Sequence, residues 1–66
     1  MAAALAKPEP LVIGTIKQFG PWGPEYEILG WADPVDGKAR IRIVIVRTGE
    51  ETTYGYEAMI EDPEAK

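Results

Sequence analysis

The clearest pattern in the chain is a strict alternation. "KARIRIVIVR", Lys38 to Arg47, sets Ala39, Ile41, Ile43 and Ile45 on one face and Arg40, Arg42, Val44 and Val46 on the other. A period of two belongs to a pleated strand. One face is wholly apolar and the other begins basic and ends apolar, so this strand is predicted to run centrally, with part of its second face covered. Weaker patterns predict three more strands. "LVIGTIKQF", Leu11 to Phe19, is β-branched and aromatic, with Gly14 as a site for a bulge or close approach. "YEILGWA", Tyr26 to Ala32, alternates in part, and "EETTYGY", Glu50 to Tyr56, reads as the last strand.

The segments between are turn-forming. Gly20 to Pro24 reverses the chain after the first strand, Asp36-Gly37 is a strong hairpin signal, and Thr48-Gly49 offers a second tight turn. Two-residue loops at the last two positions would place Ile28 opposite Ile45, Gly30 opposite Ile43, and Trp31 opposite Arg42 on the reverse face. They would also place Ile45, Ile43 and Ile41 opposite Thr52, Tyr54 and Tyr56, with the tyrosines covering the isoleucine face. Glu57 to Asp62 can form about one helical turn, stopped by Pro63. The predicted fold is therefore mainly β: a four-stranded antiparallel meander forming a curled sheet or small SH3-like open barrel, with a short C-terminal helical turn. Residues 1–10, which include an alanine tract and Lys7-Pro8-Glu9-Pro10, read as an N-terminal arm, residues 11–62 as a single small β domain and residues 63–66 as a C-terminal tail.

Composition narrows the chemistry. The 66 residues contain no serine, histidine, cysteine or asparagine, which removes serine-, cysteine- and histidine-based nucleophilic mechanisms, disulfides and the usual zinc sites. No phosphate-binding loop or nucleophile elbow is present, and the chain is expected not to be an enzyme and to carry no cofactor. Asp33 to Gly37 lacks the further ligands of a calcium loop and reads as a hairpin turn. Glu57, Glu61, Asp62 and Glu64 read as a solvated terminal face rather than a metal site. A single core of this size supplies only about 3 to 5 kcal/mol, so stability rests on good packing or on association with another copy.

The net charge of −4 and pI near 4.6 disfavour nonspecific attraction to nucleic acid or anionic lipid. The opening Met1 to Pro8 lacks the basic n-region of a signal peptide and no segment has the length of a spanning helix, so the expected location is cytoplasmic, with no membrane partner.

The order Ile13-Gly14-Thr15, Phe19-Gly20-Pro21-Trp22-Gly23-Pro24-Glu25-Tyr26-Glu27-Ile28, Arg40 to Val46, Gly49-Glu50-Glu51, Tyr54 with Tyr56, and Asp62-Pro63 resembles a small bacterial family of uncharacterised proteins, a domain of unknown function. The resemblance covers roughly residues 11–65 and implies one compact domain, with no activity or substrate attached.

Interaction chemistry remains. Phe19, Trp22, Trp31, Tyr54 and Tyr56 are either interface anchors or plugs for the ends of the barrel; as anchors they suit a protein partner or a homodimer. Trp22 is expected to fold back as a lid with Phe19. The alternative function is single-strand nucleic-acid binding, with Trp31 stacking bases beside Arg40 and Arg42. Against it stands the expectation that Arg40 pairs with Asp33, Arg47 pairs with Glu50, and Arg42 stacks on Trp31.

Overall fold

The computed structural model describes residues 11–65; the expected N-terminal arm over residues 1–10 lies outside them, as does Lys66. Four strands, β1 (Ile16–Gln18), β2 (Glu25–Val35), β3 (Lys38–Ile45) and β4 (Glu51–Gly55), form one antiparallel sheet in the order β1-β2-β3-β4, followed by α1 (Tyr56–Glu61). The sheet curls into a half-barrel, and α1 packs against β3 and β4. The predicted meander and terminal helical turn are both present. The alternating strand is central, and its apolar positions Ile41 and Ile43 are fully buried with Tyr26. Ile28, Tyr56 and Met59 complete the core, and Leu11, Phe19, Trp31, Ala39 and Tyr54 pack around it.

β1 is shorter than its sequence pattern. Thr15 N–H donates to Val12 C=O across a tight turn in which Gly14 takes φ +92°, so regular pairing begins only at Ile16. Gly14 itself donates to Ile28 C=O, which keeps this turn fastened to β2.

The registers also differ from those expected. The Asp36-Gly37 turn is a two-residue loop flanked by the pair Val35↔Lys38, with φ +53° at Asp36 and +76° at Gly37, as a type I′ hairpin requires. Register then slips twice along β2, between Val35 and Ala32 and again between Gly30 and Ile28. The first irregularity contains Pro34, which has no N–H for the ladder, and the second leaves Leu29 as an extra residue. Trp31 consequently faces Ile41, not Arg42, and Ile28 faces Ile43. An odd number of slipped residues moves a side chain to the other face, so Trp31 sits on the core side of the sheet. Such bulges also increase local twist, which fits the curl.

Between β3 and β4 the expected two-residue turn is a four-residue loop, Val46 to Gly49, closed by Ile45 N–H donating to Glu50 C=O, with φ +78° at Gly49. Ile41 therefore pairs with Tyr54 and Ile43 with Thr52. Tyr54 still covers the isoleucine face, whereas Tyr56 leaves the sheet to begin α1.

Pro63 to Ala65, read from the sequence as a tail, lie along β1. Gln18 N–H donates to Pro63 C=O, Ala65 N–H donates to Ile16 C=O, and Lys17 bridges Glu64 in antiparallel fashion.

Candidate functional site

The stretch Phe19 to Pro24 forms a rigid corner. Phe19 N–H donates to Pro24 C=O at 3.0 Å, Gln18 Nε2 donates to Pro21 C=O, and Gly20 adopts φ +66°. Gly23 is pressed against Phe19, where a Cβ would collide with the Phe19 backbone carbonyl. Inside the corner, the Phe19 ring lies 4.4 Å from that of Tyr26 and 5.0 Å, edge-on, from that of Tyr54, with Tyr26 and Tyr54 5.4 Å apart. This triangle closes one end of the half-barrel.

Asp62, directly after α1, ties the triangle to the loop. Tyr26 donates its hydroxyl to Asp62 Oδ2 at 2.7 Å, Tyr54 donates to the same oxygen at 2.9 Å, and Gly20 N–H donates to Oδ1 at 3.1 Å. Asp62 is thus partly buried and fully engaged, not part of a solvated acidic face as its neighbours Glu57, Glu61 and Glu64 are. Burial first, then the hydrogen bond and charge of Asp62, push the Tyr26 hydroxyl far above the ordinary tyrosine value, and the same causes raise Tyr54. Both rings are held as neutral donors.

Trp22 is not a lid. It is 91% exposed at the tip of the corner, because Phe19 alone fills the seat over Tyr26 and Tyr54 and the short Phe19-to-Pro24 closure leaves the middle of the loop facing solvent. Trp31 and Tyr56 form a second ring pair, 5.1 Å apart, toward α1. The aromatics therefore divide: Phe19, Tyr26 and Tyr54 plug one end, Trp31 and Tyr56 pack on the core, and Trp22 projects.

Arg40 and Arg42 occupy the reverse face, opposite Ala32 and Gly30 on β2 and opposite Gly55 and Thr53 on β4. Arg40 Nη2 donates to Thr53 Oγ1 at 2.9 Å, and Arg42 lies over Gly30. The expected ion pairs do not form: among the described residues Arg40, Arg42 and Arg47 have no carboxylate partner. Asp33 precedes Pro34 in the displaced segment of β2, and Glu50 lies in the β3–β4 junction, where its N–H is held by Thr48 Oγ1. The first slip along β2, between Val35 and Ala32, has put Trp31 on the opposite face, so Trp31, Arg40 and Arg42 do not share one surface.

Lys17 is the residue that sequence reasoning passed over, and Asp62 the one it placed on a solvated face. Lys17 is buried, with its Nζ donating to Met59 C=O at 2.6 Å near the C-terminal end of α1. A cation suits the carbonyl end of a helix. It floors a groove of about 260 Å³ lined mainly by Leu11, Thr15, Ile28, Tyr56, Met59 and Ile60. A lysine at an inward position of an apolar strand is the sequence signal for such a role. Asp62 carried a subtler one: an acid just past a helix and before a proline, at a C-cap. Among the described residues no group of acids gathers that could hold a metal ion, and no helix is long and apolar enough to cross a membrane.

The profile of a family described as "Family of unknown function (DUF5397)" matches residues 4–66. The chain belongs to that family. An uncharacterized protein of Haemophilus influenzae is 37% identical over 54 residues, a match covering 80% of this chain and 86% of that protein. The half-barrel with its braced aromatic corner is thus the structure of a DUF5397 domain, and the bacterial family resemblance read from the sequence holds.

Proposed function

We propose that this DUF5397 domain is a non-enzymatic protein-interaction module that presents Trp22 as its recognition anchor. The observation that carries the reading is a 91% exposed tryptophan on a loop held from several sides. Tryptophan is among the commonest interface anchors, and a loop whose backbone is already fixed in place gives up little freedom on binding. An exposed indole has no role in the core, whereas the prolines, glycines and Asp62 bonds that brace it are what a preformed anchor requires. Cytoplasmic residence is part of the same proposal and is checked by fractionating cells that express the tagged chain.

The test is site-specific photocrosslinking in the native host, with the crosslinker placed at Pro21 beside an intact Trp22. A discrete protein adduct that disappears on Trp22→Ala is the expected result. Absence of any Trp22-dependent adduct would sink the reading. Chemical-shift changes on Trp22 and the arginine face with short oligonucleotides would instead support single-strand nucleic-acid binding.

A further inference from the structure

The sheet has two edges and the chain treats them differently. The outer edge of β1 is occupied by residues 63–65. Among the described residues, no backbone hydrogen bond reaches the outer edge of β4. Ile45 N–H donates to Glu50 C=O, and antiparallel pairing alternates, so Thr52 and Tyr54 turn their backbone groups toward β3. Glu51, Thr53 and Gly55 turn theirs outward. Natural sheets blunt an open edge with lysine, proline, a bulge or a covering segment. "ETTYG" has no lysine, proline or bulge, and its threonines and tyrosine favour pairing.

The reverse face says what kind of strand fits. Arg40 stands opposite Gly55, and its Nη1 lies 3.8 Å from where a Gly55 Cβ would be. The guanidinium therefore extends toward the edge past a residue with no side chain. Arg40 Nε is buried without a hydrogen-bond partner, and no carboxylate among the described residues answers the charge. Glu51, on the same face at the other end of β4, is exposed and equally without an ion pair among the described residues. A complementary strand would bring a carboxylate opposite Gly55 and present a gap opposite Glu51. β4 has that pattern itself.

We propose that the chain forms a homodimer by antiparallel pairing of β4 with β4 of a second copy, centred on Thr53. Glu51 of each copy then faces Gly55 of the other, and Thr52 faces Tyr54. The Thr53 backbone groups exchange hydrogen bonds across the two-fold axis, and each Gly55 N–H meets the Glu51 carbonyl of the other copy. Each Glu51 carboxylate reaches Arg40 of the other copy, twice by symmetry, and the two four-stranded sheets become one. The surface is separate from the Trp22 loop, so this inference does not depend on the partner proposed for that loop.

Sedimentation velocity of the full chain over a concentration series tests it, with dispersed NMR spectra establishing that each variant is folded. The wild type is expected to show a monomer–dimer equilibrium. Thr53→Pro removes an outward N–H, together with the Oγ1 that accepts from Arg40, and is expected to abolish the dimer. Arg40→Glu and Glu51→Arg are each expected to weaken it by about tenfold or more, and the double exchange to restore it. Trp22→Ala is expected to leave it unchanged. A wild type that stays monomeric at NMR concentrations overturns the inference, as does a dimer that survives in folded Thr53→Pro. If Thr53→Pro does not fold, the charge exchange decides: single variants that dimerise like wild type, or a double variant that fails to recover, overturn it.

Discussion

At the scale of single residues, Asp62 concentrates the most consequence in one side chain. It accepts from two tyrosine hydroxyls and a loop amide, so Asp62→Ala leaves partly buried donors without an acceptor. Hydrogen bonds to a charged group contribute about 1.5 to 3 kcal/mol each before relaxation, and a loss of about 2 to 3 kcal/mol in urea denaturation is expected. The same contacts set a pH dependence. Tyr26 and Tyr54 are raised above the ordinary value of 10.0, so the folded state keeps protons that the unfolded chain releases. Stability is then fully present below that value and falls as pH rises above it. Urea midpoints are expected to be flat from about pH 8 to 9.5 and to decline above about 10, less steeply in Tyr26→Phe. Trp22 should behave in the opposite way to a structural residue. In a Trp31→Phe background its fluorescence is expected to be quenched freely by acrylamide, and Trp22→Ala to change stability by no more than about 0.5 kcal/mol.

At the scale of elements, the corner between β1 and β2 and the bulged β2 do most to shape the molecule. Gly23→Ala would drive a Cβ into the Phe19 carbonyl, where backbone has to move. Gly14→Ala meets open space and suffers only from its positive φ. The expected losses are about 2 to 3 kcal/mol for the first and about 1 kcal/mol for the second, compared by thermal or urea unfolding. Element identity was legible where the period was strong: β3 follows from its alternation, and the Asp36-Gly37 hairpin from turn chemistry. Register was not, since it accumulates every bulge between the turn and the residue in question. Pro34 hinted at the first irregularity of β2. That irregularity, between Ala32 and Val35, decides which side of the sheet Trp31 occupies, whereas nothing in "EILGW" distinguished Leu29 as the extra residue of the second, which sets Ile28 opposite Ile43.

At the scale of the whole molecule, the chain combines a small core with two different surfaces. One end is plugged by rings and carries an exposed tryptophan; at the far edge, among the described residues, no backbone hydrogen bond reaches the outer side of β4. The reverse face carries Arg40 and Arg42 toward one end and Glu27 and Glu51 beside Val44 at the other, and among the described residues its arginines have no carboxylate partner. Further acids, Glu57, Glu61 and Glu64, are exposed around α1.

The sequence by itself determined the β class, the order and approximate extent of the strands, the terminal helical turn and the absence of serine, cysteine and histidine chemistry, because periodicity, turn residues and composition are local properties. The loop "FGPWGP" was legible as a corner for the same reason. Only the tertiary structure decided that Trp22 projects while Phe19 packs, that Trp31 and Arg42 lie on opposite faces, that Asp62 joins two tyrosines, and that residues 63–65 cover one sheet edge while no described residue covers the outer edge of β4. Each of these depends on which distant segments meet, and a one-residue slip in pairing exchanges the inside of a strand for its outside.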